Sequence, residues 1–104
     1  MDTLKKIEDI VAGNPIVLFM KGSPQFPQCG FSSQTVQALK ACEADFHTVD
    51  VIAEPDIRQQ LPQFSEWPTF PQLFVNGELV GGCDIVLGMY QSGELKNLVS
   101  GTAE

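Results

Sequence analysis

A chain of 104 residues has room for one domain with one modest core, burying roughly two thirds of the surface its unfolded form exposes. With 13 acidic against 6 basic residues the formal net charge is −7, so the average field repels a phosphate backbone or an anionic lipid surface. Nucleic-acid and membrane partners are thereby disfavoured, and any anionic ligand must be held by a local site.

Leu4, Ile7, Ile10 and Val11 recur at helical spacing behind Asp2 and Thr3 as caps, and Gly13-Asn14-Pro15 supplies a stop. The apolar run Ile16 to Met20 fits a strand buried on both faces. A loop from Lys21 to Gln28, holding Gly22, Pro24 and Pro27, leads into a helix expected from about Cys29 to Glu43. Phe46 to Val51 alternates as a second strand, and Pro55 to Phe64 reads as a third helix with Ile57 and Leu61 inward. Leu73-Phe74-Val75, Asn76-Gly77, then Glu78-Leu79-Val80 is a strong hairpin signal. Behind Gly81-Gly82 a helix opens at Cys83 and runs through Tyr90, and Glu94 to Val99 forms a last short one.

A right-handed βαβ crossover followed by an antiparallel hairpin gives an α/β fold, a four-stranded mixed sheet flanked by helices in the thioredoxin-like arrangement. No repeat, linker or low-complexity segment interrupts it, so residues 1–104 are expected to form one domain. The opening Met1 to Lys6 lacks the apolar run of a signal peptide, and no stretch approaches the ~18 apolar residues of a membrane span. A cytoplasmic location is expected. Three cysteines there cannot all pair within the chain, which favours reactive or metal-binding thiols over a disulfide framework.

Cys29 stands where a helix begins, so unpaired backbone amides and the positive end of the helix dipole favour its thiolate. It is the candidate nucleophile and metal ligand. Three residues on, where a thioredoxin-like centre places a resolving cysteine, stands Ser32, which cannot form a disulfide. Cys42 lies on the same helix, rotated by roughly 220° from Cys29, and reads as a core thiol. Cys83 follows two glycines that let a ligand approach the backbone, so its amide rather than its sulfur is expected to matter.

Lys21-Gly22-Ser23-Pro24, Cys29-Gly30-Phe31-Ser32, Trp67-Pro68-Thr69-Phe70-Pro71 and Gly81-Gly82-Cys83-Asp84 occur in an order and spacing that resembles the monothiol glutaredoxin family, in its single-domain bacterial-like form, over nearly the whole chain. The resemblance implies glutathione as ligand. Lys21 and Arg58 would pair with its glycine carboxylate, and Phe70, ahead of a Pro71 that is cis by resemblance, would offer its backbone for strand-like pairing. The amides of Cys83 and Asp84 suit the second carboxylate and the Asp84 side chain the ammonium.

A [2Fe-2S] cluster usually takes four thiolates. One chain offers one well-placed thiolate, so two copies of Cys29 and two glutathione sulfurs would complete the set in a cluster-bridged homodimer, as the resemblance implies. Carriage of this cluster to iron-sulfur recipient proteins is the first expected function. The alternative is a glutathione-dependent thiol-disulfide oxidoreductase acting on protein mixed disulfides, with weak activity. The resemblance also implies a heterocomplex with a BolA-type protein. Taken singly, Lys21 and Arg58 read as surface charges and Trp67 as a core aromatic, while Asp50, Glu54 and Asp56 read as solvated. Phe31 either packs over the thiol or covers the helix start, and His47 is given no role.

Overall fold

The structure, a computed structural model, describes residues 2–100. The first helix, α1 (Thr3–Gly13), starts where the Asp2 carboxylate accepts the Leu4 N–H at 3.0 Å, and it buries Ile7 and Val11. There follow β1 (Ile16–Met20), α2 (Gly30–Ala41), β2 (His47–Asp50), α3 (Pro55–Ser65), β3 (Gln72–Val75), β4 (Glu78–Gly81), α4 (Cys83–Ser92) and α5 (Glu94–Ser100). The sheet order is β2-β1-β3-β4, with β1 and β2 parallel and the other two pairings antiparallel. This is the mixed four-stranded sheet expected from the sequence. Among the described residues no helix is long and apolar enough to cross a membrane.

Strand β1 is buried at every position and divides its side chains between two cores. Ile16, Leu18 and Met20 pack with Val36, Leu39, Leu73, Val86 and Leu95 beneath α2, α4 and α5. Val17 and Phe19 pack with Ile7, Val49, Ile57, Leu61 and Phe74 beneath α1 and α3. The two-residue period of a strand does this without any special device. Cys42 belongs to the first core, as its rotation away from Cys29 requires.

The boundaries differ from expectation where backbone caps intervene. Helix α2 begins at Gly30 because Cys29 is its N-cap, with extended φ −151° and ψ 136°. It stops at Ala41 because Glu43 turns left-handed at φ 58°, and Ala44 N–H then closes on Leu39 O at 3.1 Å. The hairpin turn has Asn76 at φ 53° and Gly77 at φ 82°, both positive as a two-residue primed turn demands. The Val51 N–H lies beyond β2 and still donates to Met20 O at 2.9 Å.

Phe19 is fully buried and meets the Phe74 ring edge-on at 5.5 Å between centroids. Phe19→Ala is expected to cost about 3–5 kcal/mol of folding stability, read from the denaturant midpoint, because the rigid sheet cannot collapse into the space. A loss below about 1 kcal/mol would contradict this account of the core.

Candidate functional site

Strand β1 runs out at Met20, and the chain must then satisfy its backbone on the way to α2. The Lys21 N–H donates to Ser32 Oγ at 3.2 Å, and Lys21 O accepts Gln28 N–H at 2.9 Å. Between them the loop folds back on itself: Gly22 and Pro27 form a bridge, and Ser23 and Phe26 exchange backbone bonds of 3.1 and 3.3 Å. Gly22 is obligatory here. Its φ is +91°, and a Cβ would stand 2.5 Å from Phe26 O.

This closed loop delivers Cys29 to the start of α2. Cys29 is half-buried, whereas Cys42 and Cys83 are buried. The Cys29 pKa is lowered chiefly by the Ser32 backbone N–H, then by the Phe31 N–H, the Lys21 ammonium and the Ser32 hydroxyl, against a partial desolvation that raises it. Ser32 is fully buried. It does more than stand in for a missing cysteine, since one hydroxyl holds the Lys21 backbone and stabilises the Cys29 thiolate. Cys83 Sγ donates to Gln34 Oε1 at 3.5 Å.

Lys21, Cys29, Arg58 and Phe70 line one cavity of about 480 Å³, and Phe70, Cys83 and Asp84 line a second of about 360 Å³. Phe31, Thr69 and Phe70 belong to both walls, so the two form one groove. All six residues singled out in the sequence therefore border it. Phe31 is 58% exposed and lines both cavities, the one that holds Cys29 and the one that holds Asp84. The Phe70–Pro71 peptide is cis. Among the described residues Lys21 and Arg58 have no ion-pair partner, whereas Lys5 pairs with Asp9 and Lys6 with Glu54 and Asp56. Two unpaired cations thus face one groove in a chain of net charge −7.

Several readings need correction. Trp67 is no core aromatic: it is half-buried and lines the groove, while its Nε1 is buried without a hydrogen-bond partner among the described residues. Gly82 is buried, and a Cβ on it would come within 3.1 Å of Trp67 Nε1 and 3.3 Å of Pro71 O. Gly82 also lines the groove, so its missing side chain serves two ends: it lets the Trp67 loop pack against α4 and keeps the backbone ahead of Cys83 open to the cavity. Asp50 is half-buried rather than solvated, and its Oδ1 accepts the N–H groups of Gly22 at 3.0 Å, Ile52 at 2.9 Å and Ala53 at 3.4 Å. Glu54 and Asp56 accept from Lys6 at 3.0 and 3.5 Å. The sequence held one available signal for Asp50, namely an aspartate two residues ahead of a turn N–H. Gln72 also escaped notice: fully buried, its Nε2 donates to Trp67 O at 2.8 Å and Thr69 O at 3.1 Å, fixing the groove wall.

A family model described as Glutaredoxin matches residues 16–80. Glutaredoxin 4 of Escherichia coli K12 is 60% identical over 101 residues, covering 97% of this chain and 88% of its own. The solution structure of reduced poplar apo GrxS14 is 45% identical with a TM-score of 0.82, covering 96% of this chain and 92% of its own. The crystal structure of a buckwheat glutaredoxin-glutathione complex is 28% identical with a TM-score of 0.83, covering 95% and 88%.

Titration of the Cys29 thiol, followed by thiolate absorbance or by the pH dependence of alkylation, is expected to give a midpoint below that of an ordinary cysteine. Lys21→Gln should raise that midpoint without returning it to the ordinary value, since the ammonium ranks behind the Ser32 amide. An ordinary midpoint in the unaltered chain would contradict the site electrostatics.

Proposed function

The chain belongs to the glutaredoxin family, in its monothiol type, and on that premise we propose that it carries a [2Fe-2S] cluster between two copies of itself with glutathione as co-ligand. The observation that carries this reading is the isolation of one thiolate-prone sulfur in a groove lined by two cations unpaired among the described residues. Cys29 is half-buried and opens on the groove, its would-be resolving partner is the buried Ser32, and Cys42 and Cys83 are both buried. Among the described residues no three of His, Cys, Asp and Glu are grouped to hold a metal ion. One chain therefore supplies one of the four thiolates such a cluster takes, and the others come from a second Cys29 and two glutathione sulfurs.

Glutathione fits the groove end to end in this reading. Its glycine carboxylate lies between Lys21 and Arg58, which face one cavity with the thiol. Its peptide middle pairs with the backbone of Phe70, and its other carboxylate meets the Cys83 and Asp84 amides in the first turn of α4. The Asp84 carboxylate takes the ammonium. The complex of the buckwheat relative with glutathione supports this ligand. A cluster held half by exchangeable small molecules is suited to transfer, so delivery to iron-sulfur recipient proteins is the proposed role. A BolA-type protein is the proposed heterologous partner for the same face, and the glutathione-rich cytoplasm the proposed location.

The lowered Cys29 pKa favours a second reading, deglutathionylation. The thiolate attacks the glutathione sulfur of a mixed disulfide and the protein leaves as thiolate. A second glutathione then attacks the Cys29 adduct, releasing oxidised glutathione and restoring Cys29. This needs no resolving cysteine, and the two readings share the site.

Cys29→Ser is expected to retain no more than trace iron and sulfide after anaerobic reconstitution with glutathione and to remain a monomer by mass. Cys42→Ser and Cys83→Ser should bind as the unaltered chain does. A full cluster in Cys29→Ser would overturn the ligand assignment. Rapid turnover on a glutathionylated peptide by a chain that binds no iron would make the second reading the principal one.

A further inference from the structure

Lys21 and Arg58 can address one carboxylate only if two separate segments, the loop after β1 and the start of α3, are held at a fixed separation. Asp50 stands between them, at the last position of β2 and in register with Met20. Its Oδ1 accepts the N–H of Gly22, the residue after Lys21, at 3.0 Å. The same oxygen accepts Ile52 N–H at 2.9 Å and Ala53 N–H at 3.4 Å, closing the turn toward α3. The Asp50 carbonyl accepts Glu54 N–H at 3.1 Å, and Glu54 O accepts Arg58 N–H at 3.0 Å. Asp50 thus holds both segments: its carboxylate fixes the residue beside Lys21 and the turn that leads to α3, and its backbone carbonyl starts the bonds that run through Glu54 to Arg58.

We propose that Asp50 is a positioning residue that sets the Lys21–Arg58 pair for the glycine end of a glutathione-type thiol. It rests on the reading of Lys21 and Arg58 as the carboxylate anchors. An anionic oxygen suits this post because it accepts several N–H groups at once and does so strongly. Asparagine offers a similar oxygen, alanine none, and glutamate a carboxylate displaced by one methylene.

The test compares two ligands of the full chain by NMR titration under reducing conditions: glutathione, and γ-glutamylcysteine, which lacks the glycine carboxylate. The unaltered chain should prefer glutathione. Asp50→Ala and Asp50→Glu should weaken glutathione about tenfold while changing γ-glutamylcysteine by less than about twofold, and Asp50→Asn should stay within about threefold for both. A general loss of structure would weaken both ligands together, so the ratio separates positioning from folding. If Asp50→Glu keeps the preference of the unaltered chain, the positioning role is overturned while the anchors stand. If the unaltered chain itself binds both ligands equally, the anchor assignment falls and the positioning role with it.

Discussion

The end of β1 is the point on which the site depends. A strand buried on both faces must release its chain toward a helix without leaving a polar backbone group unsatisfied. Three side-chain and backbone acceptors meet that need: Ser32 Oγ takes the Lys21 N–H, Asp50 Oδ1 takes the Gly22 N–H, and Met20 O takes the N–H of Val51. Those bonds bring α2, the β2–α3 turn and the loop after β1 to one place. Cys29, Lys21 and Arg58 share one cavity for that reason, though they come from three segments.

Ser32 links this constraint to the chemistry. Its hydroxyl accepts from the backbone of Lys21, and its own N–H and hydroxyl stabilise the Cys29 thiolate. A fully buried serine in that post gives up the intramolecular disulfide of a dithiol site and leaves the neighbouring sulfur open to an external partner. In the proposed reading those partners are a second chain and glutathione, which together supply what one chain lacks.

The sequence spoke clearly where period and turn chemistry decide. The alternation that sends Val17 and Phe19 to one core and Leu18 and Met20 to the other is written in β1, and Asn76-Gly77 marks the hairpin. Cys42 turned away from Cys29 by helical rotation alone. The sequence was silent where a contact joins distant positions. Asp50 meets Gly22 across 28 residues, and Trp67 and Pro71 crowd Gly82. Charge composition offered no hint that Glu54 and Asp56 are taken up by Lys6, leaving Lys21 and Arg58 at the groove without an ion-pair partner among the described residues.

In the proposed reading one chain is an incomplete site, completed by glutathione and a second copy. The mass in solution and the bound iron and sulfide of the unaltered chain, after anaerobic reconstitution with and without glutathione, decide this. The expected result is a coloured dimer holding one [2Fe-2S] for every two chains, formed only with glutathione. A cluster of the same stoichiometry assembled without glutathione, or a colourless monomer under both conditions, would contradict it.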